Sequence, residues 1–347
     1  MVVELLEDKK RWDQFVEKSP QGLLFHKWDF LKTVERHSNY QFLPYCVYSG
    51  EELRCIFPFF IGRDRLGMTH MLSPPPLHLG VQIWYLGPAF EPNVQALKAT
   101  AKQKIFDQVT DEVCKEIDTI APNFVEFATV PNFLDVRSFV WENYRAHLDF
   151  AYVIDLERSP DEIWASFSRD CRRRIKQVSA HSPEIQQTND VSALLDIWRG
   201  RFSELGVQVP LPSDSYLKEL VATFPQEMTV YNLTIDGSLA NAIACCVLQK
   251  ERYFYWIGAV NVRKDLGAND YLTWEVIRRA KSEGFKKLDL GPGDRRLAIY
   301  KAKFDPVLEP YCKVGRTDAR FKIRNFANKK LSGAKKLVSD ALPRAHL

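Results

Sequence analysis

The sequence predicts an α/β protein with mixed sheets and two domains, and three observations lead there. Its 347 residues are 46% hydrophobic and 27% charged, a composition that supports a large core in a globular protein. Segments with helical spacing of apolar residues alternate with short apolar runs that end at turn residues. This alternation occurs in both halves, so we expect domains over residues 1–149 and 150–320 and a basic tail over residues 321–347.

The first half is predicted to contain helices, a strand pair and one further strand. Three consecutive prolines at residues 74–76 exclude both helix and sheet pairing, so the stretch SPPPLHLGVQIWYLGP is expected to be a loop. The expected elements are a helix at residues 28–34, strands at 44–48 and 53–61 around Ser49-Gly50, a helix at 93–120 and the buried strand FVEFATV.

The second half begins with a strong helix-start signal. Ser159, Pro160 and Glu162 form a capping box with proline at the first helical position. The helix that follows is expected to carry Ile163, Trp164, Phe167 and Ile175 on one side. After it we expect helices at residues 194–205 and 216–224, the strands MTVYNLTIDG, SLANAIACCVLQ and ERYFYWIGAV, a helix at 270–282, and the strands KKLDL and EPYCKVG.

A glycine-containing turn precedes the helix in NVRKDLGANDYLTWEVIRRAKSEG. Asn269 or Asp270 could cap this helix, whose first backbone N–H groups would then form an anion site for a phosphate or an oxyanion. The alternative is a capped turn with no ligand.

A run of cations lies in the helix after the capping box, at Arg169, Arg172, Arg173, Arg174 and Lys176. Three successive arginines cannot share one helix face, so at least one should point toward the protein body or a ligand. The run is either a solvated face or a contact for a phosphate-bearing partner, which could be a nucleotide-linked precursor, a lipid pyrophosphate or tRNA.

The order helix, helix, three strands, turn, helix, strand resembles the GNAT acyltransferase fold. Two such halves resemble the FemABX-type peptidyl aminoacyltransferases and their FemAB-like relatives, over most of residues 12–315. The resemblance implies tandem GNAT-like domains and rests on four segments: Phe25-His26-Lys27 with Phe30, YVIDLERSPDEIWASFSRDCRRRIKQ, DYLTWEVIRRAKSEGFKKLDLG and IYKAKF.

The segment Tyr300–Phe304 resembles the family's Phe-Lys-x-x-Phe motif, which implies that Lys301 lies near the transfer site. A lysine there could stabilise the oxyanion that forms when an amine attacks a carbonyl. Lys301 and Lys303 would share a face in a strand but lie on different sides of a helix. Asp289 and Asp294 could accept the ammonium proton, or could serve only in turn geometry. The predicted donor-binding residues are Gly267, Ala268, Asn269, Asp270, Arg172, Arg173, Lys176 and Tyr300.

The donor implied by the resemblance is aminoacyl-tRNA, and the acceptor an amine of a nucleotide- or lipid-linked cell-wall (peptidoglycan) precursor peptide. GNAT enzymes that use acetyl-CoA usually carry Gln/Arg-x-x-Gly-x-Gly/Ala in the turn, whereas residues 264–269 here read KDLGAN. Two alternatives stay open: an acyl-CoA-dependent N-acyltransferase acting on a sugar or peptide, and a non-catalytic module that binds tRNA or membrane. No metal or redox cofactor is expected, because cysteine and histidine lack metal-ligand spacing.

The basic charge of the protein is concentrated at its C-terminus. From Lys313 onward ten Lys/Arg face two Asp, a net charge of +8, so the remainder carries −4 of the total +4. The tail predicts an amphipathic helix that docks on the body, lies on anionic membrane or contacts nucleic acid. Seven cysteines without CxxC spacing and an N-terminus without an apolar run predict a cytoplasmic protein. We expect a monomer, which the basic tail could hold at the inner face of the membrane.

Overall fold

A computed structural model describes residues 1–77, 82–204, 214–260 and 267–324 of the chain. Within these ranges no helix combines the length and apolar character that a bilayer span requires. The tail predicted from residue 321 falls largely outside the described residues.

The first half forms strands and helices close to those expected. Gly50 has φ +62° in the tight turn between the paired strands Tyr40–Ser49 and Glu52–Arg63, as the Ser49-Gly50 signal predicts. The strands are β1 (Val2–Leu5), β2 (Tyr40–Ser49), β3 (Glu52–Arg63), β4 (Thr69–Ser73), β5 (Ala89–Phe90) and β6 (Phe124–Ala128). The helices are α1 (Lys9–Lys18), α2 (Trp28–Arg36), α3 (Asn93–Ala96), α4 (Ala99–Ile120) and α5 (Arg137–Trp141), with a 3₁₀ turn at Leu24–His26.

The second half contains the three predicted antiparallel strands and the helices around them. The strands are β7 (Arg145–Asp155), β8 (Glu184–Thr188), β9 (Met228–Ile235), β10 (Ser238–Gln249), β11 (Arg252–Val260), β12 (Lys287–Asp289) and β13 (Val307–Thr317). The helices are α6 (Pro160–Ser166), α7 (Arg169–Ser179), α8 (Ser192–Glu204), α9 (Asp214–Thr223), α10 (Ala268–Ser282) and α11 (Arg295–Ala302).

One mixed sheet runs through both halves in the order β1-β2-β3-β4-β6-β13-β7-β12-β11-β10-β9-β8, with β5 paired to β3. Among the described residues, each half contains one parallel pair, β4 with β6 and β11 with β12. Strand β13 comes from the end of the chain but pairs with β6 of the first half as well as with β7. The sheet therefore crosses the predicted boundary near residue 150, which stays a prediction.

Two apolar clusters pack against this sheet. The larger extends through both halves, where Phe25 of the first half contacts Phe254 and Trp256 of the second with ring centroids 5.7 and 6.1 Å apart. The smaller belongs to the second half and lies between the sheet and α6, α7 and α10. The second cluster therefore fixes α7 and α10 beside each other.

Two helices predicted to be continuous are broken. The helix expected at residues 93–120 divides into α3 and α4 at Leu97 and Lys98, where both backbones are extended. The helix after the capping box ends at Ser166, and Ser168 starts α7 by accepting a hydrogen bond from the Cys171 N–H at 3.2 Å. The break turns the cationic residues into a separate helix.

Candidate active site

The candidate site lies where β11 and β12 separate. These parallel strands pair only from Arg252–Lys287 to Phe254–Asp289. Strand β11 then continues to Val260, whereas β12 ends at Asp289 and the segment after it turns away. The loop before β5 reaches this opening, since the Trp256 Nε1–H donates to the Gln82 carbonyl at 2.9 Å. Beyond Phe254 and Asp289 the two strands are no longer paired, so the backbone N–H and C=O groups on their facing edges need other partners.

Lys301 lies at the end of α11 and is 7% exposed. Its ammonium donates to the Gly291 and Pro292 carbonyls at 2.9 and 2.8 Å and sits 5.4 Å from the centre of the Tyr152 ring. An ammonium has three N–H donors, so one remains without an acceptor among the described residues. Burial lowers the pKa of Lys301 to about 8. This third N–H is the donor that the predicted oxyanion role requires, and that role stays a prediction.

Asp289 is fully buried in a network of charges at the end of β12. It accepts hydrogen bonds from Arg252 at 2.6 Å and from the Gly291 N–H at 2.7 Å, and Arg252 also pairs with Glu309. Burial raises the pKa of Asp289 despite the guanidinium beside it. These contacts give Asp289 a positioning role, because it fixes the turn whose carbonyls hold Lys301; its predicted role as a proton acceptor stays a prediction.

Asp294 starts α11 as its N-cap residue and accepts a hydrogen bond from the Leu297 N–H at 2.9 Å. This contact is the turn chemistry that the sequence offers as the alternative to proton transfer. The segment IYKAKF is helical as far as Ala302, and the C-cap residue Lys303 keeps a helical backbone at φ −70° and ψ −12°, so Lys301 and Lys303 point in different directions. The Lys303 ammonium reaches Asp270, with Nζ to Oδ1 at 2.7 Å.

The start of α10 differs from the predicted capped turn. Gly267 is the N-cap residue at φ +104°, so the prediction that Asn269 or Asp270 caps the helix is wrong. Asp270 is 1% exposed and pairs with Arg174 and Lys303, while the Asn269 Oδ1 accepts from Asn241 at 3.0 Å. Both side chains therefore bond to other elements, Asp270 to α7 and to the end of α11 and Asn269 to β10.

Gly267 and Ala268 are buried beneath α7. A Cβ atom on Gly267 would stand 2.8 Å from the Cβ of Arg174, which leaves no space between the two backbones. Ala268 is fully buried. At residues 267–268 the start of α10 therefore lies against α7, and the predicted anion contact stays a prediction; residues 261–266 lie outside the described ranges.

Tyr300 lies in the same buried polar region at the start of α10. Its hydroxyl lies 3.4 Å from the Thr273 Oγ1, and Lys303 sits over its ring at 4.2 Å. Burial raises the pKa of Tyr300 well above the ordinary value, so its hydroxyl stays protonated. Tyr300 thus orders α11 against α10, and its predicted donor contact stays a prediction.

The successive arginines of α7 separate as helical geometry requires. Arg172 donates to the Ala165 and Phe167 carbonyls at 2.5 and 2.7 Å and so closes the end of α6, while Arg174 pairs with Asp270. Arg173 points outward and pairs with Asp170 at 2.5 Å. With the exposed Arg169 and Lys176 and with Gln177, Arg172 and Arg173 line an open depression of about 430 Å³. The prediction that one arginine faces the body is confirmed.

Two charged residues of this region were missed from the sequence. Arg252 and Glu309 stand in separate strands with no local signal, and only the sheet order brings them together. His26, which occupies a family motif position, is fully buried with its Nε2 3.0 Å from the Gly87 carbonyl. Burial lowers the pKa of His26 to about 4, so the ring is neutral near pH 7 and holds the loop at Gly87.

Comparisons with known proteins agree with this architecture. Residues 165–302 match the family described as acetyltransferase (GNAT) domain. A search of the curated proteins found no match. The structure is similar to FemX, with a TM-score of 0.65 at 9% identity over 90% of this chain and 97% of that chain.

Two further solved structures are similar over nearly their whole length. The first is the C-terminal domain of a putative lysylphosphatidylglycerol synthetase from Agrobacterium fabrum, with a TM-score of 0.57 at 14% identity over 94% of this chain and 96% of that chain. The second is a tandem GNAT protein from the clavulanic acid biosynthesis pathway, with a TM-score of 0.54 at 9% identity over 90% and 97%. The chain thus has the tandem GNAT fold of these structures, and residues 165–302 of its second half match the acetyltransferase (GNAT) domain.

Proposed function

We propose that this acyltransferase moves an aminoacyl group from aminoacyl-tRNA to an amine of a cell-wall precursor peptide. One observation carries the choice of donor: at residues 267–268 the start of α10 is covered by α7, and the cations of α7 lie outside it on an open surface. A donor whose phosphates are held by surface side chains fits this arrangement better than one whose pyrophosphate needs the backbone N–H groups of that helix.

The open face of α7 suits an extended polyanion. Arg169, Arg173 and Lys176 are exposed and follow one another over about two helical turns, so successive phosphates along an RNA strand can meet separate cations. The likeness to a protein named as a lysylphosphatidylglycerol synthetase supports an aminoacyl group as the transferred unit.

The chemistry needs no covalent enzyme intermediate. The acceptor amine attacks the ester carbonyl and forms a C–N bond, the carbonyl oxygen becomes an oxyanion, and the C–O bond then breaks to release the ribose hydroxyl. The free N–H of Lys301 would stabilise the oxyanion. The proton lost by the amine goes to the leaving oxygen, directly or by way of a carboxylate such as Asp294.

The acceptor in this proposal is a nucleotide- or lipid-linked precursor peptide, met by a monomer in the cytoplasm or at the inner face of the membrane. No CoA, metal or redox cofactor takes part in this reaction.

A binding and transfer experiment tests the donor. The triple variant Arg169→Ala/Arg173→Ala/Lys176→Ala is compared with the control Lys10→Ala/Arg65→Ala/Lys104→Ala, which removes three exposed cations elsewhere. We expect the first variant to bind charged tRNA about tenfold or more weakly at moderate salt, and the control to bind normally. Transfer is measured with radiolabelled aminoacyl-tRNA mixtures and precursor peptides in nucleotide-linked and lipid-linked forms.

Two results would contradict the proposal. The folded protein could transfer nothing from any charged tRNA, or CoA thioesters could raise its melting temperature and act as donors instead. The second result would assign it as an acyl-CoA-dependent N-acyltransferase.

A further inference from the structure

We propose that the groove between α7 and α10 binds unpaired nucleotides of an RNA, with bases stacked on its aromatic side chains. The inference rests on the proposed RNA donor but concerns a different surface from the opening that contains Lys301. It specifies which part of the RNA is recognised, a single-stranded segment, and which side chains recognise it.

The groove has an aromatic lining and a volume of about 350 Å³. Trp164 of α6 and Trp274 of α10 are half-buried, with ring centroids 5.3 Å apart and planes at 48°. The buried Phe167 supports Trp274 from behind, edge-on at 5.3 Å. The lining consists of Trp164, Ile175, Lys176, Ser179, Tyr271, Trp274, Glu275 and Arg278.

Tyr271 and Trp274 are three residues apart on α10 and are therefore neighbours on one helix face. Both are only partly buried, so each leaves part of its ring beside the groove. Large aromatic rings that are partly exposed offer planar surfaces on which any base can stack. Three such rings around one groove make a platform for bases rather than for a single small anion.

The charges around the groove favour a polyanion. Lys176 lines this groove and also the depression on α7, so the aromatic surface passes directly into the cationic one. The carboxylate of the groove, Glu275, is paired with Arg278 at 3.0 Å, which removes most of its repulsion. Single-stranded nucleic acid requires this arrangement, in which bases stack on the aromatic side and phosphates bind on the cationic side.

A duplex cannot use this surface in the same way, because its bases are already stacked and paired. The groove should therefore discriminate between unpaired and paired RNA, while the cations of α7 should bind both. This difference separates the role of the groove from general electrostatic attraction.

The test uses fluorescence anisotropy with the full chain, a labelled single-stranded oligouridine and a labelled RNA duplex of the same length. Trp274→Leu should weaken binding of the single strand by about 5- to 100-fold and leave duplex binding nearly unchanged. Trp274→Phe, which keeps a ring, should recover much of the affinity. Trp141→Leu is the matched control, because Trp141 is 59% exposed and lies beside Arg137 but outside the groove.

Salt dependence separates stacking from charge. Trp274→Leu should lower the affinity without changing the slope of log Kobs against log salt, whereas Lys176→Ala should reduce the slope by about 0.7. If Trp274→Leu lowers the melting temperature substantially, Tyr271→Ala supplies the same comparison from a second ring of the groove.

The inference is overturned if the aromatic variants bind the single strand as the unmodified protein does. It is also overturned if single strand and duplex bind equally, or if anionic vesicles bind through Trp274 and oligonucleotides do not. These outcomes are independent of transfer assays: selective binding without transfer from charged tRNA would contradict the proposed function alone, and transfer without selective binding would contradict this inference alone.

Discussion

Lys301 is a buried cation whose properties come from a loop nine and ten residues before it. The lysine–aromatic pattern of residues 300–304 identifies the position, but the carbonyls of Gly291 and Pro292 determine where the ammonium points. Asp289 fixes this turn by accepting a hydrogen bond from the Gly291 N–H. The site therefore depends on a chain of contacts from Arg252 through Asp289 and the turn to Lys301.

The titration of Lys301 is the prediction at this scale. Burial lowers its pKa to about 8, below the ordinary value near 10.5, so the ammonium predominates only below about pH 8. In NMR of protein labelled with ¹³C at lysine Cε, one signal should titrate near pH 8 and be missing from Lys301→Ala. If the charged form stabilises the oxyanion, kcat/KM should also fall above about pH 8.

Lys104→Ala provides the control for this titration, since the signal assigned to Lys301 should remain in that variant and still titrate near pH 8. A Lys301 signal that titrates near the ordinary lysine value of 10.5 would contradict the buried environment. An alkaline loss of rate that persists unchanged in Lys301→Ala would assign the pH dependence to another group.

Helices α7 and α10 form the element pair on which both proposals depend. The break at Ser168 separates α7 from α6, and the buried contacts of Arg174 with Asp270 place it over the start of α10. The sequence predicts each helix but treats α6 and α7 as one, because the apolar spacing continues through Phe167. Packing decides the break, since Phe167 is needed in the cluster against Trp274 and Phe304.

Glycine substitutions test how closely α7 and α10 approach. Gly267→Ala introduces a Cβ at φ +104° and 2.8 Å from Arg174, whereas Gly284→Ala introduces one at φ +87° with nothing within 4 Å. Both should lose stability through backbone strain, about 1–3 kcal/mol. Gly267→Ala should lose more, measured as the free energy of unfolding in urea, because the helices must also move apart. Equal losses would contradict the close approach.

At the scale of the whole molecule, the sheet makes the two halves interdependent. The last strand, β13, lies between β6 and β7, and the aromatic residues Phe25 and Phe30 of the first half pack on Trp256 of the second. The Glu219 carboxylate of α9 also accepts a hydrogen bond from Arg36 Nε of α2 at 2.9 Å. The sheet and the larger apolar cluster therefore continue across the predicted boundary near residue 150.

A fragment experiment tests this interdependence. Residues 1–149 alone would leave β6 without its partner β13 and would expose Phe25 and Phe30, so we expect no cooperative thermal transition by circular dichroism. A chain ending at Arg324 keeps every described contact and should melt cooperatively. Cooperative melting of the fragment would instead show that residues 1–149 are an independent domain.

The sequence by itself determined the class of fold and most helices and strands, and it singled out Lys301 as a candidate site residue. These features depend on local information: periodicity, turn residues, a capping box and a short motif. It also predicted that the successive arginines must diverge, which follows from helical geometry alone.

Only the tertiary structure decided what these side chains do. The buried pairing of Asp270, the network of Arg252 with Asp289 and Glu309, and the groove between α7 and α10 each join residues from distant segments. Local patterns cannot specify such contacts, because sheet order and helix packing determine which side chains become neighbours. The cost of burying a charge then requires each of these groups to find its partner.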